Sequence, residues 1–105
     1  MVNNLRMYIL VLDDLPLGHQ INTACHASVA CTLDYLETPE VKEWLDTSFR
    51  KVTCKVTRKE FDLSISKEKD YVIMTELNLD GRETCVAFKP RREYHKMFKF
   101  LKLFK

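Results

Sequence analysis

The stretch from Asp13 to Ala27, Asp-Asp-Leu-Pro-Leu-Gly-His-Gln-Ile-Asn-Thr-Ala-Cys-His-Ala, holds the densest run of groups able to do chemistry. His19, Gln20, Asn22 and Thr23 fall near a helix start, just past a strand's end. Free backbone N–H groups and the helix dipole favour anions there, so phosphate or carboxylate recognition is one reading. A polar helix cap beside a loop is the other. His26 lies inside the helix, where most histidines are packing groups. Cys25 and His26 cannot form a dyad, because adjacent helical residues point about 100° apart.

Glu76, near the end of a later strand, is placed to meet the loop after the first strand. A carboxylate there orients a water or acts as a base; the alternative is an exposed strand-end acid. Thr84 opens the following strand, and its hydroxyl suits a carbonyl or phosphate oxygen, or simply fills a strand position. Asp80-Gly81-Arg82 reads as hairpin-turn chemistry, with Arg82 within reach of a phosphate. Residues 89–105 hold seven basic residues and one acid, Glu93, with Tyr94, Phe98, Phe100 and Phe104 interleaved. On a helix, Arg92, Lys96 and Lys99 share the face opposite the apolar one. That face suits an RNA backbone, or is a solvated lysine surface.

Cys25, Cys31, Cys54 and Cys85 show no CxxC spacing, and each lies in an apolar segment. They read as reduced, buried, small apolar residues; no metal, disulfide or cofactor is expected.

The elements that must position these groups fit one domain, residues 1–105, of 12.4 kDa. A hydrophobic share of 46% and a charged share of 30% exclude a disordered tail, a collagen-like chain and a coiled coil. No apolar run is long enough to cross a membrane, and no export signal opens the chain, so a cytoplasmic protein is expected. Residues 1–48 carry seven acids and two basic residues, a net of −5, and residues 49–105 a net of +7. Either the basic half meets a polyanion or folding mixes the signs.

Arg6–Asp13 reads as a strand buried on both faces. A helix follows from about His19 to Glu37, then a short one opened by Thr38 and Pro39 with Val41, Trp44 and Leu45 inward. Phe49–Val56 alternates as a strand, Thr57–Lys67 reads as a helix, and Tyr71–Leu77 and Glu83–Phe88 as a hairpin. Pro90 opens a last helix with Tyr94, Met97, Phe98 and Leu101 on one face. The fold class is α/β: a mixed four-stranded sheet flanked by helices, in the order β-α-α-β-α-β-β-α.

Asp14-Leu15, Gly18, Ala24-Cys-His-Ala27, Thr84-Cys-Val-Ala-Phe-Lys-Pro90 and Phe100-Leu-Lys-Leu-Phe-Lys105 together resemble the type 2 peptidyl-tRNA hydrolase superfamily. The closest resemblance is to its divergent branch, the peptidyl-tRNA hydrolase domain-containing proteins, and it spans nearly the whole chain. The resemblance implies metal-free hydrolysis of the ester linking a peptide to the 3′ end of tRNA, with tRNA as partner. In the main family, a lysine follows the helix-start glycine and a glutamine lies four residues beyond it. Here those positions hold His19 and Thr23. The family's strand threonine matches Thr84; its aspartate loop is shortened here, and Glu76 is nearest by element position. The resemblance thus implies His19, Glu76 and Thr84 as catalytic groups. Gly18, Thr23, Arg82, Arg92, Lys96 and Lys99 are the expected substrate contacts. The second reading is a module that keeps the fold and RNA or protein binding without turnover. A homodimer is admitted but not required.

Overall fold

Residues 4–104 are described by the structure, a computed structural model; Lys105, counted in the basic C-terminal segment, lies outside them. Strand β1 (Arg6–Leu12) is buried from Met7 through Leu12, as an unbroken apolar run requires of a strand covered on both faces. Helix α1 (Leu17–Asp34) follows a loop ending at Pro16, and α2 (Pro39–Asp46) starts where Thr38 accepts from the Val41 N–H. Strand β2 (Arg50–Val56) leads into α3 (Arg58–Lys67), which Thr57 and Glu60 open with a reciprocal capping box. Strands β3 (Tyr71–Glu76) and β4 (Arg82–Phe88) complete the central sheet.

The sheet order is β3-β4-β1-β2, with β1 and β2 parallel and β4 antiparallel to both β1 and β3. The crossovers β1-α1-α2-β2 and β2-α3-β3 run in opposite directions across the sheet. Right-handed connection then puts α1 and α2 on one face and α3 on the other. Burial of Trp44, Phe61, Phe88 and the β1 side chains fills the space between.

Four expectations are corrected. The sheet has five strands rather than four: β5 (Lys102–Leu103) pairs antiparallel with Cys54 and Lys55 at the β2 edge. The segment after Pro90 is not an α-helix. Arg91 exchanges backbone hydrogen bonds with Arg6 at 3.1 and 3.2 Å, and Lys96–Phe100 forms only a 3-10 turn. Tyr94 and Phe98 still pack inward, edge-on to Tyr8 with ring centroids 4.8 and 5.0 Å away. Such aromatic contacts and the Tyr94 hydroxyl bonds to Arg6 O and Lys89 O hold the segment without helical geometry. The β3–β4 connection is likewise longer than a two-residue turn. Leu77–Leu79 forms a 3-10 turn, closed by Asp80 and Gly81 at φ 57° and 74°.

Cys25 is the fourth correction, because it is exposed on α1. Cys31, Cys54 and Cys85 are buried, and desolvation pushes Cys31 to about 12 and Cys54 to about 11, with Cys85 also raised. The two charged halves do mix: Asp14, Glu40 and Glu43 pair with Arg82, Lys89 and Arg92. No described helix is long and apolar enough to cross a membrane.

Candidate functional site

β1, β2 and β3 are parallel, so their C-terminal ends share one end of the sheet with the start of β4 and of α1. A β-bulge shapes this end. Met74 pairs with Cys85 and Thr75 with Glu83, which leaves Thr84 as the extra residue on β4. Side chains alternate along a strand, and an extra residue breaks the alternation. Cys85 lies opposite Val11 on the face covered by α1, and the bulge turns Thr84 to that face too. Its hydroxyl meets that of Thr23 on α1 at 2.6 Å, and it donates to Met74 O at 3.3 Å. Thr84 is 1% exposed and Thr23 7%.

Helical spacing stacks His19 one turn above Thr23, four residues earlier on α1. The ring is half-buried, and no described residue hydrogen-bonds it. Gln20, the next residue, points elsewhere: its Nε2 donates to Leu15 O at 2.6 Å and ties the loop to the helix. Gly18 sits in the first turn of α1, where an added Cβ would meet nothing within 4 Å.

Glu76 ends β3 opposite Arg82, so alternation puts both on the α1 face. Glu76 does not meet the loop after β1; its carboxylate accepts from the Asn78 N–H at 3.0 Å, within its own turn. Arg82 meets that loop instead, donating to Asp14 at 2.7 Å. This hydrogen bond holds the Asp14 carboxyl below the usual carboxylate range. Glu83 points to the opposite face and takes Arg58 of α3.

Gly18, His19, Thr23, Glu76, Arg82 and Thr84 therefore gather at one end of the sheet. Arg92, Lys96 and Lys99 do not join them. They line a depression of about 380 Å³ with Arg6 and Tyr94, at the N-terminal end of β1. A seven-residue strand puts roughly 20 Å between the two ends. Arg92 is engaged by Glu43, whereas Lys96 and Lys99 enter none of the ion pairs among the described residues.

The sequence reading missed the bulge and the Arg82–Asp14 pair. Alternation was the only available signal for the bulge: Thr-Cys-Val-Ala-Phe has no polar residue after Thr84 to show which residues share a face. Among the described residues, no three His, Cys, Asp or Glu side chains gather as metal ligands.

Among curated proteins, none matches the chain. The family model of peptidyl-tRNA hydrolase PTH2 matches residues 5–104, nearly the full length, and includes every residue of both clusters. The chain belongs to the peptidyl-tRNA hydrolase PTH2 family.

Proposed function

We propose that the protein hydrolyses the ester between a peptide and the 3′ end of tRNA, at the end of the sheet that carries Thr84. Water adds to the ester carbonyl carbon, the carbonyl–oxygen bond to the ribose breaks, and a peptide carboxylate and a free 3′-hydroxyl leave. The reaction needs a base, a positioned water and a donor to the developing oxyanion. His19, unengaged at the helix start, donates to the oxyanion. Thr23 donates to Thr84 and Thr84 to Met74 O, so Thr23 keeps lone pairs with which to hold the water. Glu76, on the same face, exchanges the Asn78 N–H for the water, takes its proton and returns it to the ribose 3′ oxygen as the ester bond breaks. Gly18 leaves the first turn open to the substrate, and Arg82 steadies the loop at Asp14 while facing the terminal phosphates. Arg92, Lys96 and Lys99 meet tRNA phosphates farther from the ester. No metal ion takes part, and the cytoplasm is the place of action.

One observation carries this reading: a bulge, a feature enriched beside active sites, holds the family's threonine against the helix start at 2.6 Å. The test is peptide release from an N-blocked aminoacyl-tRNA. Loss of a positioned base lowers such rates by about 10²–10⁴, so Glu76→Gln should fall at least a hundredfold while remaining folded. Full activity in that variant removes Glu76 from the mechanism.

A second reading has its own observation. The Glu76 carboxylate is engaged by Asn78, and Thr84 is closed to solvent. No release by the wild type, together with salt-sensitive tRNA binding, establishes a binding module without turnover.

A further inference from the structure

On the other flank of α1, away from Thr84, Leu17, Gln20, Ile21, Ala24 and Cys25 line a groove of about 290 Å³ with Thr53 of β2 and Phe104. Leu17 and Ile21 are 68% and 57% exposed. The walls are almost wholly apolar, but two observations mark a polar occupant. Gln20 is 7% exposed, and its Oε1 is buried without a hydrogen-bond partner, although its Nε2 is satisfied by Leu15 O. Buried acceptors are almost always paired, so an unpaired one beside a groove points to a donor that a ligand brings. The second observation is charge. The Lys55 ammonium lies 5.1 Å from the Phe104 ring centroid, and Lys102 stands opposite Lys55 in the β2–β5 pairing. No acid pairs with either lysine among the described residues.

An aromatic ring in an apolar groove, rimmed by unpaired lysines, is the arrangement that holds single-stranded nucleic acid: the base stacks and the phosphate meets the cations. A volume near 290 Å³ is at the low end for small-molecule sites and suits one base rather than several. We propose that this groove takes an unpaired base of the RNA 3′ end, stacked on Phe104, with its phosphate between Lys55 and Lys102. Gln20 Oε1 accepts from the base's exocyclic amino group, which adenine, cytosine and guanine carry and uracil lacks. The inference rests on the peptidyl-tRNA reading for the identity of the RNA and deepens it. The strand would pass over the first turn of α1, where Gly18 presents no side chain, from the groove on one flank to His19 and Thr84 on the other.

The probe is an RNA hairpin with an unpaired ACCA 3′ end, read by fluorescence anisotropy beside its blunt counterpart and a UUUU-ended one. Stacking on an aromatic ring accounts for about five- to hundredfold in affinity, so the ACCA hairpin should bind at least fivefold more tightly than the blunt one. Phe104→Ala and Phe104→Leu should abolish that difference and leave blunt binding unchanged; the leucine keeps apolar volume where alanine could unpair β5. The UUUU end should fall below ACCA. Equal affinity for blunt and overhanging RNA overturns the proposal, as does a Phe104→Leu variant that keeps the full preference. Sedimentation that shows a dimer dispersed by Ile21→Glu, with RNA binding untouched, also overturns it and assigns the groove to a second copy. Peptide release separates the two readings. Overhang-specific binding without any release removes the hydrolase reading and keeps the groove. Release by Phe104→Leu with an unchanged KM removes the groove and keeps the hydrolase.

Discussion

Replacing Thr84 by valine should destabilise the protein more than its lost hydroxyl suggests. Valine has the same shape, so packing is kept. The Thr23 hydroxyl, 7% exposed, then loses its 2.6 Å partner, and Met74 O loses a weaker bond at 3.3 Å. Stranding a buried polar group costs about 1–3 kcal/mol. Thr23→Val leaves Thr84 still bonded to Met74 O, so it should cost only about 1 kcal/mol. Replacing both partners with apolar groups of the same shape is close to neutral at their contact. The double variant should therefore lose only about 1 kcal/mol, well under the sum of the singles at about 2–4 kcal/mol, a coupling of about 1–3 kcal/mol. Urea titration reads this directly through the only tryptophan, Trp44, which is fully buried. The slope of each titration should stay constant, which shows that the variants change stability rather than the unfolded state. Single costs that add within about 0.5 kcal/mol would refute the hydroxyl pair. Because the double variant stays folded, it also tests the chemistry: under the hydrolase reading it should lose peptide release with little loss of stability.

The other predictions concern separate parts of the molecule. At neutral pH a maleimide should label Cys25 alone in the native protein, with Cys31, Cys54 and Cys85 reacting only after unfolding; mass spectrometry of the labelled peptides checks this. Gly18→Ala should raise stability by up to about 1 kcal/mol, since the added Cβ meets nothing and alanine is the better helix former. It should weaken binding of the ACCA-ended hairpin if RNA crosses that turn. Arg82→Gln should cost no more than about 1 kcal/mol at pH 7, because Asp14 is largely exposed. The folded state depresses the Asp14 pKa, so this stabilisation is present above about pH 4 and lost as pH falls through the folded value. The gap between wild type and variant in acid urea titrations should close accordingly, and a gap that widens on acidification would contradict the pair.

Local signals in the chain were sufficient wherever one element's own residues decide its form. Thr38-Pro39 and Thr57 with Glu60 carry their caps with them, and Met7–Leu12 is apolar without a break. The failures came where partners far along the chain decide. Tyr94, Met97, Phe98 and Leu101 recur at helical spacing, yet Tyr8, Phe88 and the Arg6 backbone hold them in an irregular segment instead. Lys102-Leu103 is too short to read as a strand without the β2 edge beside it. At the site, the types and places of His19, Thr23 and Thr84 were legible, and their helix and strand do meet. The direction of Thr84 depended on a bulge, and the side chain that meets the β1 loop is Arg82, on Asp14, rather than Glu76.

The two residues of β5 have a consequence for solubility. An open sheet edge is a template for another chain's strand, and β2 offers alternating Val52, Cys54 and Val56 on one side. Lys102 and Leu103 occupy the middle of that edge, and the Phe104 N–H caps Thr53 O at 3.3 Å. A chain cut before Lys102 would keep its central strands but present this edge bare, so it should aggregate through strand addition before it unfolds. The same cut would remove the ring that floors the groove, and resistance to self-association and nucleotide capture would disappear together.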